Sequence, residues 1–377
     1  MDAMDEDDAF EEAPEVSFEA RTDDGRRLTN MLSSICLNSK QRDASSTLAW
    51  CEVSDHGMTF TVGVAKSMQA IAYVKREGVF QAWWLAEEHR GDHATERLEF
   101  GINLATLLEC LRIFGGASAS GSYGVPDSKA QLHMNFKPAT ACLNLSLVEG
   151  CASPARSPSA RAARWAGRTF FLTVVRGARA CVRTRHSVTE CELHTLDIEA
   201  PHRMSLSISP GERVPARIVI ASDSLKSGID ELEWGGDNNR DKRVLLRVQP
   251  RPGAFSLTCS STDVGCEMVW PIDALDAFEA SHELSFEYRF LHLHMALRSL
   301  KDSQQAQLQI DAHGTLEIKM RFAAAASTTT KGSELFSHFF LFPLLDEDDV
   351  ENFDATNCQP GMTSASASAA AWDNPWG

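Results

Sequence analysis

The chain repeats one pattern four times: an amphipathic helical stripe followed by short strand-like segments. The stripes place apolar residues about three, four and seven positions apart, which puts them on one face of a helix. They consist of Leu28, Met31, Leu32 and Ile35; Leu104, Leu107, Leu108 and Leu111; Leu225, Ile229 and Leu232; and Phe290, Leu293, Leu297 and Leu300. This spacing predicts four helices, each with one buried face.

Strand-like segments follow each stripe. In the clearest of them, Met58, Phe60, Val62 and Val64 occupy every second position, the period of a strand with one buried face. Strands are predicted at 47–53, 58–65, 68–76, 80–86, 131–136, 141–148, 244–248, 254–259, 265–269 and 284–288. Helices followed by short antiparallel meanders predict an α+β fold of two similar domains, each with two helices packed on antiparallel sheets.

Most of the charge lies at the two ends of the chain. The 377 residues carry a net charge of −16, of which residues 1–24 contribute −10 and residues 346–377 contribute −7. Residues 25–345 therefore carry +1, and a near-neutral body can still present a basic face to nucleic acid. We expect a disordered acidic arm (1–16), a first domain (17–198), a second domain (199–345) and a disordered tail (346–377).

The ten cysteines include no C-x-x-C pair, and several lie in apolar strand or helix patterns, where thiols pack as small hydrophobic groups. No apolar run approaches the roughly 20 residues that a membrane span needs. We therefore expect a soluble protein of a reducing compartment, without a membrane partner. The sequence has no phosphate-binding loop, nucleophile elbow or zinc-protease motif, so no cofactor or metal ligand is expected.

Two segments between residues 57 and 116 carry a specific resemblance. The segments GMTFTVGVAKSMQAIAYVKREGVFQAW and RLEFGINLATLLECLRIFG resemble the Rad-one subunits of the nine-one-one checkpoint clamp, heterotrimeric relatives of the replication clamp PCNA. The similarity continues more thinly in SDSLKSGIDELEW, YRFLHLHMALRSLK, TLEIKM and HFFLFPLL. The resemblance implies a PCNA-like sliding-clamp fold and a nuclear, non-catalytic subunit of a DNA-encircling heterotrimer that acts in checkpoint signalling and DNA repair.

The same resemblance implies the partners: two homologous clamp subunits, double-stranded DNA through the ring, a clamp loader, and repair or checkpoint proteins. Subunits of such a ring join by β-addition between edge strands. We expect one edge at residues 339–345 and the other at 134–148. The interface residues predicted on these edges are Phe339, Phe340, Leu341 and Phe342, and Met134, Leu143 and Leu145. Recruitment of repair enzymes is expected near the linker, at residues 193–204.

A ring around DNA needs positive charge facing the phosphates, without contacts that grip individual bases. Basic residues on or beside the four predicted helices are candidates for this role. Taken singly, each is an ordinary solvated charge, but as a set on equivalent helices they indicate a DNA-facing surface. The set is Arg26, Arg27, Arg112, Lys226, Arg298 and Lys301.

Two alternatives share this resemblance. Members of the family have been discussed as 3′-to-5′ exonucleases, and two-metal nuclease chemistry needs several carboxylates around the ions. The nearest candidate is the D-x-E motif of Asp197 and Glu199, which falls where the linker is expected. The other alternative, a homotrimeric replication clamp, has the same fold but assembles from one kind of chain.

Residues 150–189 interrupt the repeat with eight arginines, no lysine and no acidic residue. Three interpretations stay open: a basic insertion that contacts DNA or a partner, a surface loop without function, or translated intron sequence at residues 152–180. In the third case, the flanking segments LNLSLVEG and VRTRHSVTECEL would form a hairpin once that stretch is removed.

Overall fold

In the computed structural model, the secondary-structure elements of the first half recur in the same order in the second half. The structure describes residues 16–37, 48–64, 67–90, 97–116, 130–149, 170–175, 178–183, 188–208, 213–233, 242–251, 253–260, 265–322 and 335–344. Nearly all of the expected acidic arm and the whole expected tail lie outside these residues. Within the described ranges, no helix is long and apolar enough to cross a membrane.

The described residues of the first half form two α-helices and eleven strands. In chain order they are β1 (Phe18–Thr22), α1 (Gly25–Ser34), β2 (Leu48–Ser54), β3 (Gly57–Val64), β4 (Met68–Lys75), β5 (Ala82–Leu85), β6 (Leu98–Asn103), α2 (Leu104–Gly116), β7 (Ala130–Lys137), β8 (Cys142–Glu149), β9 (Phe170–Val175), β10 (Ala178–Arg183) and β11 (Val188–His194).

The second half repeats this order, and its described residues include no counterparts of β9 and β10. Its elements are β12 (Ala216–Ala221), α3 (Ser222–Glu233), β13 (Arg243–Gln249), β14 (Ala254–Ser260), β15 (Gly265–Pro271), β16 (Ala277–Ala280), β17 (Leu284–Arg289), α4 (Phe290–Leu297), β18 (Ser303–Ile310), β19 (Leu316–Phe322) and β20 (Leu335–Leu341). A short 3₁₀ turn, Arg298–Asp302, follows α4.

The predicted helical stripes are buried, because each helix packs its apolar face on the sheets. Leu28, Met31, Leu32 and Ile35 of the first stripe are all at most 1% exposed. Local capping fixes where two helices begin: the Asp24 carboxylate accepts from Arg27 N at 3.1 Å, and the Asn103 side chain accepts from Thr106 N at 3.0 Å. The predicted α+β fold with an internal repeat is confirmed.

The strand order repeats as well. One group of five strands has the order β5-β1-β7-β8-β11 in the first half and β16-β12-β18-β19-β20 in the second. A group of four has the order β6-β2-β3-β4 in the first half and β17-β13-β14-β15 in the second. All pairings within these groups are antiparallel.

The two halves are joined by main-chain pairing between β20 and β4. Residues Phe336–Leu341 of β20 pair antiparallel with Met68–Tyr73 of β4, which merges one group from each half into a nine-stranded sheet. All seven residues of β20 are buried. The core between the helices and this sheet is therefore continuous across both halves.

This pairing contradicts the expectation of a subunit edge at residues 339–345. Phe339, Phe340 and Leu341 lie in a strand that is paired on both sides, with β19 and with β4, so their main-chain groups are already used. Of the four predicted residues, Phe342 alone is substantially exposed, at 41%. The expected edge at 134–148 is wrong for the same reason, because Met134, Leu143 and Leu145 are buried in β7 and β8, each of which has two neighbours.

We predict that Phe339→Ala lowers the free energy of unfolding by about 3–5 kcal/mol, because it leaves a cavity where the two halves join. Phe342→Ala is the matched control, and its effect should stay within about 0.5 kcal/mol because the side chain is already exposed. Urea unfolding of both variants measures the difference. Equal losses for the two variants would contradict this account of the junction.

Candidate functional site

The four helices form one continuous row on the apolar side of the nine-stranded sheet. Helix α1 packs on α2, and its other flank contacts the turn after α4, which in turn contacts α3. Ser299 Oγ donates to Ser34 O at 2.9 Å and ties this turn to the end of α1. The helical row is the surface on which the predicted DNA-facing residues lie.

The structure places these basic residues differently. Arg26 is exposed in the first turn of α1, Arg27 beside it is half-buried, and Arg112 is exposed on α2. Arg298 is exposed at the start of the turn after α4. Lys301 belongs to the same turn, and its side chain lies outside the described part of the structure.

Lys226 and Arg298 are brought together at a shallow cleft of about 200 Å³ between α3 and α4, which Asp230 and His294 also line. The Lys226 ammonium is 2.8 Å from the Asp230 carboxylate, one helical turn away. That hydrogen bond, and then the charge of Asp230, raises the pKa of Lys226. The positive charge of Lys226 is therefore partly neutralised by the neighbouring Asp230 carboxylate.

Helix α3 as a whole is acidic. It contains Asp223, Asp230, Glu231 and Glu233 against the single base Lys226. Helix α1 has the opposite character, with Arg26 and Arg27 and no acidic residue. The positive charge of the helical row is concentrated on α1 and on the turn after α4, and it is not evenly shared among the four helices.

Strand β15 lies at the edge of a sheet, a position that the sequence analysis did not predict. It pairs with β14 on one side and ends the four-stranded sheet on the other. Val269 on this strand and Ile272 just after it are 52% and 46% exposed, which is unusual for large apolar side chains that follow one another closely. The internal repeat was the signal available in the sequence, because it makes β15 the counterpart of β4, the strand that joins the two halves.

The segment between β11 and β12 crosses the polar side of the nine-stranded sheet. The Gln69 side chain holds it at two points: its amide nitrogen donates to His202 O and its oxygen accepts from Met204 N, both at 2.9 Å. Arg203 forms an ion pair with Glu52. This part of the predicted recruitment region, 193–204, is thus fixed against β4 and β2.

Asp197 and Glu199 lie in the same connecting segment and are both exposed. Just before them, Leu196 and Gly101 exchange two main-chain hydrogen bonds of 2.8 Å. Among the described residues, no group of three or more His, Cys, Asp or Glu is arranged to hold a metal ion. Within that part of the chain, the D-x-E motif is not joined by the further carboxylates that two-metal chemistry needs.

Three ionisable residues, Glu317, Lys319 and His338, form a buried cluster in the same nine-stranded sheet. His338 Nδ1 is 3.2 Å from the Glu317 carboxylate, and Lys319 is 3.5 Å from the other oxygen of that group. Burial lowers the pKa of His338, and its Nε2 is buried without a hydrogen-bond partner among the described residues. This arrangement fits a neutral imidazole that donates from Nδ1 to Glu317.

Because the pKa of His338 is lowered on folding, the unfolded chain takes up a proton that the folded chain does not. Stability that is present above the ordinary histidine pKa of 6.5 is lost as the pH falls below it. We predict that His338→Asn, whose amide still donates to Glu317, reduces this loss between pH 7.5 and 5.5 by about 1 kcal/mol. Urea unfolding across that range measures it, with exposed His313→Asn as the control. Parallel pH profiles for His338→Asn and wild type would refute the assignment.

We also predict that Gln69→Ala releases the linker, because two hydrogen bonds to its backbone are lost. Amide exchange at residues 202–204 should increase by at least about tenfold, for a loss of about 1.4 kcal/mol or more in local opening free energy. Gln309→Ala is the matched control, since Gln309 lies in the same cross-strand row but makes no hydrogen bond to the linker among those described. Unchanged exchange in Gln69→Ala would show that Arg203 alone holds the segment.

The repeated strand groups, the shared nine-stranded sheet and the single helical row define a sliding-clamp fold. The chain is similar to PCNA from Entamoeba histolytica, with a TM-score of 0.57 and 11% identity over 88% of this chain and 100% of that one. It is also similar to a chain of the PCNA2–PCNA3 complex from Sulfolobus tokodaii, with a TM-score of 0.54 and 9% identity over 86% of this chain and 98% of that one.

Sequence comparison identifies the family within the sliding-clamp fold. The family model described as Rad1, repair protein Rad1/Rec1/Rad17, matches residues 17–155. The human cell cycle checkpoint protein RAD1 is 32% identical over 318 residues, 84% of this chain and 87% of that protein. The DNA damage checkpoint control protein rad1 of Schizosaccharomyces pombe is 23% identical over 295 residues, 78% of each chain. The chain belongs to the Rad1 family. With its clamp fold, it is a DNA-damage checkpoint clamp subunit.

Proposed function

We propose that this subunit assembles with two different homologous subunits into a nuclear ring that encircles double-stranded DNA. It has no catalytic role of its own in this proposal. A clamp loader places the ring on DNA, and the ring then holds repair and checkpoint proteins at damaged or stalled sites. Residues 17–198 and 199–345 act as its two clamp domains.

The observation that carries this proposal is the internal junction between β20 and β4. It joins the five-strand group of the second half to the four-strand group of the first. Among the described strands, the complementary groups β5-β1-β7-β8-β11 and β17-β13-β14-β15 are not joined to each other; β15 is an edge, and β11 pairs on its outer side with β10. By the repeat, β11 is the counterpart of β20 and β15 is the counterpart of β4.

The same junction can therefore form between chains, with β11 of one subunit added to the β15 counterpart of its neighbour. Main-chain groups supply the affinity in such a pairing, and side chains supply the selectivity. Exposed Val269 and Ile272 give the β15 edge apolar surface to bury against the next subunit. A ring built in this way needs homologous neighbours, as the proposal requires.

DNA contact is proposed for the helical row. We infer that Arg26, Arg112 and Arg298 face the phosphates, because they are exposed and lie on or next to helices. Arg27, Lys226 and Lys301 belong to the proposed surface too, although Lys226 contributes less since Asp230 offsets its charge. The acidic α3 implies that the other two subunits supply much of the positive charge in the ring.

The test of assembly is native mass spectrometry of this chain alone and after co-expression with the two other clamp homologues of the same organism. We expect a monomer alone and a one-to-one-to-one complex with the partners. A trimer of this chain alone would favour the replication-clamp alternative instead. No association at all would remove the support for a ring.

For DNA binding, we predict that Arg26→Ala with Arg298→Ala weakens binding of the assembled ring to end-blocked duplex DNA. Each lost phosphate contact should lower the slope of log affinity against log salt by about 0.9. Arg243→Ala is the matched control, because Arg243 is an exposed arginine that lies on strand β13, not on a helix, and forms an ion pair with Glu287. Fluorescence anisotropy at several salt concentrations measures the slopes. Equal slopes for both variants would place the DNA elsewhere.

The exonuclease alternative requires that Asp197→Ala abolish a metal-dependent degradation of DNA by the purified chain. We expect no such activity, because Asp197 and Glu199 stand on an exposed connecting segment without a described metal-binding cluster.

A further inference from the structure

The outer side of β11 is already occupied within this chain. Strand β10 pairs with it antiparallel from Ala178 opposite Leu193 to Arg183 opposite Val188, and β9 pairs with β10 beyond it. The described residues of the second half contain no such pair of strands, and β4 takes the equivalent place beside β20. The hairpin therefore lies where the repeat assigns a strand from another subunit.

The positions that β10 covers on β11 are nearly the same as those that β4 covers on β20. Strand β11 aligns with β20 through their shared neighbours, because His194 pairs with the first residue of β8 as Leu341 pairs with the first residue of β19. In this alignment β4 covers the last six of the seven positions of β20, and β10 covers the first six of the seven positions of β11. The hairpin and a neighbouring strand would use the same main-chain groups, offset by one residue.

Charge also suits the hairpin to this position. Strand β11 presents Glu190 and Glu192 as exposed acids, and β10 contains Arg179 and Arg183 without an acid. Arg179 stands opposite Glu192 in the register. Opposite charges in directly opposed positions stabilise a strand pair by about 0.2–1 kcal/mol, which is weak enough to be exchanged.

We propose that the β9–β10 hairpin is a displaceable cover for the β11 edge, and that a neighbouring subunit joins the ring there by displacing it. The inference rests on the proposed function, because it assumes that β11 is a subunit-joining edge. It gives the arginine-rich insertion a role in controlling assembly. A tethered cover acts at a high effective concentration, so it slows or weakens entry of a partner without any contact to DNA.

The chain offers a direct way to lock the cover in place. Cys181 of β10 stands opposite Glu190 of β11. Directly opposed residues have Cα atoms about 4.5–5.5 Å apart, within the about 4.4–6.8 Å that a disulfide spans. Glu190→Cys therefore permits a cross-strand disulfide with the native Cys181. Oxidised glutathione forms this bond and is itself reduced to two thiols, and dithiothreitol breaks the bond.

The experiment follows ring assembly with the two other clamp homologues, by native mass spectrometry and by the association rate in biolayer interferometry. Oxidised Glu190→Cys should lose at least about 90% of the assembly seen after reduction. The double variant Glu190→Cys, Cys181→Ser and the oxidised wild type are the controls. The wild type also accounts for the native pair Cys110 and Cys191, whose thiols hydrogen-bond inside the first half.

A second variant removes the cover. Deletion of residues 152–180 leaves nine residues between β8 and β11, which already pair directly. This variant should join its partners at least about tenfold faster than the wild type. Equal assembly of oxidised and reduced Glu190→Cys would overturn the inference alone, because a ring would then form with the hairpin in place. Absence of assembly in every form, including the deletion variant, would overturn the proposed function and this inference together.

Discussion

The rest of the structure depends on the main-chain pairing of β20 with β4. Backbone N–H and C=O groups buried away from water must find partners, and here each half supplies those of the other. Because the shared strands are also covered by the helical row, the pairing and the apolar core reinforce one another. A five-strand group of one half is thus joined to a four-strand group of the other half within the chain, and the proposed ring uses the same kind of junction at β15 and, once β10 is displaced, at β11.

The polar side of the same sheet is stabilised in another way. Gln69 is buried there, and burying a polar side chain costs free energy unless its hydrogen bonds are made. The amide group of Gln69 makes both of these hydrogen bonds with the linker backbone, at His202 O and Met204 N. Glu317 is compensated by His338 and Lys319, so charge buried near the junction is not left alone. These polar contacts specify where the linker lies, while the apolar side supplies most of the stability.

The sequence predicted the four helices and ten of the twenty described strands, but it placed the sheet edges wrongly. The spacing of Leu104, Leu107, Leu108 and Leu111 is a local property, and so is the alternation from Met58 to Val64, which is why both predicted their elements. Strand neighbours are decided by residues far apart in the chain. A signal did exist at Leu335–Leu341, where apolar residues occupy both faces of the strand and only Ser337 and His338 interrupt them, which indicates a central strand more than an edge. The exposure of Val269 could not be predicted, because its local sequence is that of an ordinary buried strand and its exposure depends on the position of β15 at the sheet edge.

In the proposed ring, charge on the helical row determines how strongly this subunit attracts DNA. The basic residues of α1 and of the turn after α4 share the helical row with an acidic α3, and Lys226 of α3 is already paired with Asp230. A subunit of this kind contributes only a few phosphate contacts, so its own attraction for DNA is weak and strongly reduced by salt. Weak, non-specific attraction lets a ring move along a duplex, because no base contact has to be broken at each step. In the proposed ring, retention on DNA depends on closure, and closure requires that strands β11 and β15 pair with the neighbouring subunits.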